Sequence, residues 1–152
     1  MFPSAPEQIR LDAGALTELE AALRAAAPEE GCALLLGRRE REIWRLERIW
    51  SCRNAWQPAS ERPRRFALDP REQLQAQVWA RGHGLEVLGA AHSHPDGLAI
   101  PSATDRQLTP LPSLMLILGL DGLACWWLDD PEQPPRRLSW GSPLAEETEA
   151  SG

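Results

Sequence analysis

The sequence contains no lysine and no tyrosine, so all 16 of its basic residues are arginine. Set against 22 acidic residues, they leave a net charge of −6. That balance argues against the positive footprint of general nucleic-acid binding, and no nucleic-acid partner is expected. No apolar run approaches the ~20 residues of a membrane span. The longest, Leu111 to Leu120, is strand-sized and interrupted by Pro112, so no membrane partner is expected either. No basic segment followed by an apolar one opens the sequence, which predicts no secretory signal. Cysteine is scarce: Cys32, Cys52 and Cys125 are odd in number and show no CxxC spacing. This favours reduced thiols in a cytoplasmic setting over a disulfide framework.

What remains is ordinary globular material. The 152 residues are 43% apolar and 25% charged, which fits one domain. That domain is expected over residues 1–143, followed by an acidic tail, 144–152, expected to be disordered. A short first strand is expected around Gln8 to Leu11. Leu16, Leu19 and Leu23 recur at helical spacing and predict a helix from Gly14 to Ala27. The run GCALLLG, Gly31 to Gly37, reads as a buried strand, and Arg41 to Trp50 as a more exposed one. Ser51 to Pro63 reads as a long loop. A helix with Leu74, Val78 and Trp79 on one face is expected over Pro70 to Arg81, with Asp69 as its cap and Pro70 in the first position. Leu85 to His94 reads as a strand and Ser102 to Leu108 as a short helix. Leu114 to Leu120, the Asp121-Gly122 turn and Leu123 to Leu128 make a hairpin, and Arg136 to Trp140 a last strand. This mixed order is an α+β or mixed α/β pattern.

The stretch AAHSHPDGLAIPSATD, Ala90 to Asp105, concentrates the chemistry. On a strand, residues two apart share a face, so His92 and His94 present both imidazoles to one place while Ser93 points away. Pro95 cannot continue a central ladder and ends the strand at that pair. Ser102 and Asp105, three apart on a helix, can both look back toward the histidines. Two neutral imidazoles and one carboxylate form a three-ligand zinc set with a fourth tetrahedral position open to water. Hydrolysis also needs a base. Glu30, just before GCALLLG, is the best acid outside the motif, with Glu29 adjacent to it; burial at that point would raise a carboxylate's pKa into the useful range. Each fragment also has an ordinary reading. Ser-x-x-Asp resembles a helix capping box, and a lone HxH pair need hold no metal. His83 reads as a loop residue, Cys32 and Cys125 as buried thiols, and Trp56 as an aromatic facing substrate. Arg62, Arg64 and Arg65 read as a solvated loop able to meet an acidic partner.

His92-Ser93-His94, seven residues beginning with Pro95, Ser102, then two more residues and Asp105 resemble the signature of the JAMM (MPN-domain) zinc metalloproteases. The stretch Glu30-Gly31-Cys32-Ala33-Leu34-Leu35-Leu36-Gly37 is similar to that family's acid-led strand, with Ala33 where glycine is usual. This selects Glu30 over Glu29. The segment from Asn54 to Phe66-Ala67-Leu68-Asp69-Pro70 is similar to the region after the family's second strand. The resemblance spans about residues 9 to 140. It implies an MPN fold, a curved and mostly antiparallel sheet flanked by helices. It implies one zinc ion held by His92, His94 and Asp105, Glu30 as general base and then acid, and Ser102 as hydrogen-bond donor to the oxyanion. It implies a peptidase cutting an amide or isopeptide bond after the C-terminal Gly-Gly of a ubiquitin-like, β-grasp sulfur-carrier protein, whose tail would lie extended along a strand edge. A small-molecule or short-peptide amidohydrolase on the same site, and a non-catalytic MPN interaction module, are the alternatives. The loops Ser51 to Pro63 and Pro95 to Pro101 are the segments able to cover the metal. Lysine's absence follows from coding bias, or from a surface kept free of isopeptide acceptors.

Overall fold

The structure, a computed structural model, describes residues 4–142. The tail expected to be disordered, 144–152, lies outside the described residues. Strand β1 (Gln8–Leu11) leads into helix α1 (Ala13–Ala25). Strands β2 (Cys32–Glu40) and β3 (Ile43–Cys52) form an antiparallel hairpin. The long connection after β3 contains one 3₁₀ turn, Ala59–Glu61, and ends at α2 (Pro70–Gly82). The Asp69 carboxylate accepts from the Arg71 N–H and Pro70 takes the first helical position, as the sequence predicts. Strand β4 (Glu86–Ser93), helix α3 (Ala103–Leu108), strands β5 (Ser113–Gly119) and β6 (Gly122–Leu128), and strand β7 (Arg136–Gly141) follow.

The strands run in the order β1-β3-β2-β4-β5-β6-β7 and close into a barrel. Closure depends on β1, which pairs in parallel with β3 on one side and β7 on the other. The expected curved, mostly antiparallel sheet curves until it closes on itself, and β4–β5 is a third parallel pairing among otherwise antiparallel ones. Periodicity reports which face of a strand is apolar, not which strands are neighbours, so a four-residue closing strand left no trace of its role in the pattern.

One face of every strand joins a single core with Leu19 and Leu23 of α1. The central strands β2, β4 and β5 are apolar on their second face too, because other elements cover it. Ala76 and Ala80 of α2 pack on Leu34 and Leu36. Ala99, in the loop after β4, packs on Met115 and Ile117 of β5. The helix α2 therefore turns a small-residue face inward, and Leu74 and Val78, whose spacing predicted the helix, face outward. Those two are 61% and 60% exposed. Ala91 faces the core, so by alternation His92 emerges on the outer face, in the seam between these two coverings.

Leu116, fully enclosed at the middle of β5, should lose about 2–5 kcal/mol of unfolding free energy on Leu116→Ala. Val78→Ala should change it by less than about 0.5 kcal/mol. Urea unfolding of the two variants checks both.

Candidate metal centre

Strand β4 ends at Ser93, one residue earlier than expected, and the next residue, His94, still bonds to the barrel: its N–H donates to the Leu118 carbonyl at 2.9 Å. Because β4 and β5 are parallel, the chain must cross over to reach the start of β5. That crossover carries the loop 95–101 and then α3, and it brings the helix's first turn back beside the end of β4. The loop is tied down. Ala99 N–H donates to Asp121 Oδ1 at 2.8 Å, Leu120 N–H to the Gly97 carbonyl at 2.8 Å, and Trp126 Nε1 to the Ala99 carbonyl at 2.9 Å. The approach is close enough that a Cβ on Gly119 would lie 2.4 Å from the Ala99 nitrogen. The loop lies bound against the β5–β6 turn.

The crossover brings the predicted residues together. Asp105 Oδ2 lies 3.0 Å from His92 Nε2 and 3.1 Å from His94 Nε2, and the two imidazole nitrogens are 3.1 Å apart. The same carboxylate oxygen accepts the Ser102 N–H at 2.9 Å. Ser102 Oγ in turn accepts the Asp105 N–H at 3.0 Å, completing a capping box. The capping reading of Ser-x-x-Asp and its place beside the histidines are therefore both realised. An Oγ that accepts one bond keeps its own hydrogen to donate. Glu30 completes the cluster, with one donor atom from each of Glu30, His92, His94 and Asp105 within 4.8 Å of the others.

A metal ion fits these donors. A tetrahedral ion with bonds of about 2.0 Å sets its ligands about 3.3 Å apart, and the three atoms from His92, His94 and Asp105 are already within 3.1 Å of one another. His94 Nδ1 lies 2.8 Å from the Leu98 carbonyl. A carbonyl only accepts, so Nδ1 carries a hydrogen, and once the ring gives up its second proton the Nε2 lone pair faces the cluster. Among the described residues, Glu30 Oε1 is enclosed with no hydrogen-bond partner, a carboxylate oxygen left for a group the protein itself does not supply.

Two carboxylates in one cluster are driven in opposite directions. Burial pushes the Glu30 carboxyl up to about 7, with nearby Asp105 adding to the rise and His94 opposing it. Burial acts on Asp105 too, but hydrogen bonds from both imidazoles and the Ser102 N–H outweigh it and hold that carboxyl well below its ordinary value. His92 is fully enclosed, and burial lowers its pKa against the pull of Asp105, which keeps the ring neutral as a ligand must be. Burial also disfavours charge on His94. There the Asp105 carboxylate, the Leu98 carbonyl and Glu30 win, and its pKa is raised.

Several supporting residues carried no metal or acid signature in the sequence. Phe66 stacks on His92 with ring centroids 4.3 Å apart, fixing the imidazole by its face. Ser93, pointing away from the cluster as expected, accepts the Gly31 N–H at 2.8 Å. Asn54, buried in the loop that follows β3, donates from Nδ2 to the Glu30 carbonyl at 3.0 Å. Trp56, Phe66, Leu68 and Met115 line a cleft of about 470 Å³ that opens onto His92 and Asp105. Trp56 is thus at the site, as expected. A second cleft of about 370 Å³, between α3 and Asp130, holds none of the four donors. His83 is elsewhere, capping α2 and stacked on Trp79. Cys32 and Cys125 are buried and Cys52 half-buried, all three free thiols. No helix among the described residues is long and apolar enough to cross a membrane.

The Glu30 shift has a measurable consequence. Its folded pKa of about 7 exceeds the ordinary 4.5, so the folded metal-free protein keeps a proton that the unfolded chain has released. Stability from this group is full below 4.5 and falls as pH rises to about 7. Metal-free wild type should therefore lose stability relative to Glu30→Gln over that window in urea titrations. Parallel curves for the two proteins would remove Glu30 as the source.

Comparison with known proteins agrees with this site. Residues 12–129 match the family described as prokaryotic homologs of the JAB domain. A protein of Thermus thermophilus described as a "Probable TtuB-protein conjugate cleaving protease" is 32% identical over 121 residues, 79% of this chain and 76% of that one. The solution structure of a protein from Desulfitobacterium hafniense has a TM-score of 0.78 at 32% identity, covering 88% of this chain and 92% of that chain. One from Salinibacter ruber has a TM-score of 0.65 at 28% identity, covering 87% and 91%. The crystal structure of a JAB1/MPN domain protein from Archaeoglobus fulgidus, 18% identical with a TM-score of 0.54 over 86% and 97%, shares the fold. The chain belongs to the family of prokaryotic JAB-domain proteins and has the MPN fold.

Proposed function

We propose that the protein is a zinc-dependent peptidase that hydrolyses the amide or isopeptide bond after the C-terminal Gly-Gly of a ubiquitin-like, β-grasp sulfur-carrier protein. The observation that carries the reading is the convergence of His92, His94 and Asp105 around one point with the unpartnered Glu30 Oε1 beside them. The likeness to a conjugate-cleaving protease supports the substrate class. Three free cysteines suit a reducing cytoplasm.

In this reading His92 and His94 offer neutral nitrogens and Asp105 an ionised oxygen to the zinc ion. When bound, zinc would lower the pKa of a water from 15.7 to about 7 and polarise the scissile carbonyl. Glu30, poised near neutrality, accepts a proton at Oε1 from the attacking water and returns it to the departing amine. Carbon gains a bond to oxygen and loses its bond to nitrogen. Ser102 holds the tetrahedral oxyanion with the hydroxyl hydrogen that its capping role leaves unspent. The carrier's extended tail would reach the centre through the cleft lined by Trp56 and Phe66.

The test is a β-grasp carrier ending in Gly-Gly and joined through an amide to a lysine-containing peptide, followed by intact mass. Release at the Gly-Gly terminus is expected, lost with a chelator and restored by zinc. Glu30→Gln should keep its zinc yet turn over about 10²–10⁴ more slowly. Equal turnover of a carrier cut to its last few residues would favour a short-peptide amidohydrolase. A zinc-loaded protein releasing nothing would favour the interaction module.

A further inference from the structure

We infer that Asn54 is a positioning residue: its buried amide holds the Glu30 backbone, and through it the Glu30 carboxylate, in place over the metal centre. This role rests on the peptidase reading above.

Glu30 stands just outside β2, in a connection with no regular structure. No strand ladder fixes its main chain, and its Oε1 has no partner among the described residues. Its placement must therefore come from the backbone. The Glu30 N–H donates to the Arg62 carbonyl at 2.8 Å, and its carbonyl accepts Asn54 Nδ2 at 3.0 Å. On the far side, Gly31 N–H donates to Ser93 Oγ at 2.8 Å and Ser93 N–H to the Gly31 carbonyl at 3.0 Å. Glu30 is thus clamped between the segment 54–67 and the strand end that carries the two histidines.

Asn54 is the hub of the first side. An amide nitrogen has two hydrogens, and the bonds to Glu30 O at 3.0 Å and Arg65 O at 2.8 Å use both. The 3.5 Å approach to Arg62 O is a long, shared contact. Oδ1 accepts from Trp56 N–H at 3.0 Å and Ala67 N–H at 3.3 Å, which uses both lone pairs. One side chain that is 6% exposed therefore joins both ends of the segment to Glu30. The same segment carries Phe66, stacked on His92. A network with every donor and acceptor satisfied is rigid, and one with a member removed leaves buried carbonyls unpaired. None of the ligand residues bonds to Asn54, so metal binding and base placement are separable here.

Displacing a reacting group by about 1 Å costs on the order of 100-fold in rate. Asn54→Ala should therefore lower kcat about 10- to 100-fold on the carrier–peptide substrate, with KM within about twofold and zinc content unchanged. Asn54→Asp, which keeps the shape and the acceptor but loses the amide donors, should fail likewise and covers the case in which the alanine variant does not fold. The decisive arm adds each substitution to Glu30→Gln over long incubations. A residue acting through Glu30 has nothing further to lose there, so the double variant should turn over as Glu30→Gln does. A second drop of equal size would overturn the proposal, as would wild-type kcat in Asn54→Ala. Independently of activity, amide hydrogen exchange at Glu30, Trp56 and Ala67 should accelerate in the variants while Leu116 keeps its rate. Unchanged exchange at Glu30 would also overturn it. If wild type releases no carrier, the peptidase reading fails while the exchange measurement still reads the clamp.

Discussion

One carboxylate oxygen, Asp105 Oδ2, organises this molecule's functional end: it meets both imidazoles and the Ser102 N–H within 3.1 Å. That meeting needs the rest of the fold. The strand must end at the histidine pair, which Pro95 ensures by having no N–H to extend the ladder. Its neighbour must run parallel, which forces a crossover and returns a helix N-terminus to the strand's end. The helix must then begin with a capping box, so that the hydrogen bonds starting α3 also orient its carboxylate. Local helix chemistry and metal-site chemistry use the same atoms.

The second carboxylate shows how environment separates two identical groups. Asp105 has three donors and stays ionised; Glu30 has burial and few partners and is held near neutrality. Pushing paired acids apart in this way suits the division of labour proposed for them, a charge that binds and a base that moves protons. Glu30 can be left without a side-chain partner only because its main chain is held on both sides, by Asn54 and Arg62 and, through Gly31, by Ser93. Backbone anchoring leaves the carboxylate free for chemistry while denying it freedom of place.

The walls of the site serve both structure and access. Phe66 fixes His92 by its face and lines the cleft, and Trp56 sits in the same segment under a guanidinium from Arg65. The loop 95–101 borders the centre from the other side, fastened to Asp121 and Trp126. The outer face of the sheet is thus divided between α2 and this loop, and the metal centre occupies the seam they leave.

Much of this was legible from residue order alone. Alternation put His92 and His94 on one face, Pro95 ended the strand, Ser-x-x-Asp marked a helix start, and Glu30 stood before an apolar run. These are local signals, set by periods of two and 3.6 and by single-residue chemistry. What lay beyond them were relations between distant segments. The closure of the barrel by β1, the exposure of Leu74 and Val78 and the burial of Ala76 depend on which elements pack together. Asn54 and Phe66 stood out only as part of a segment resembling the family's, with no role assigned to the amide or the ring; they acquire roles only when folding sets them against Glu30 and His92. Sequence by itself determined the donor set and the elements that carry it. Tertiary structure alone decided how those donors are aimed, because aim is set by hydrogen bonds and packing between residues that are far apart in the chain.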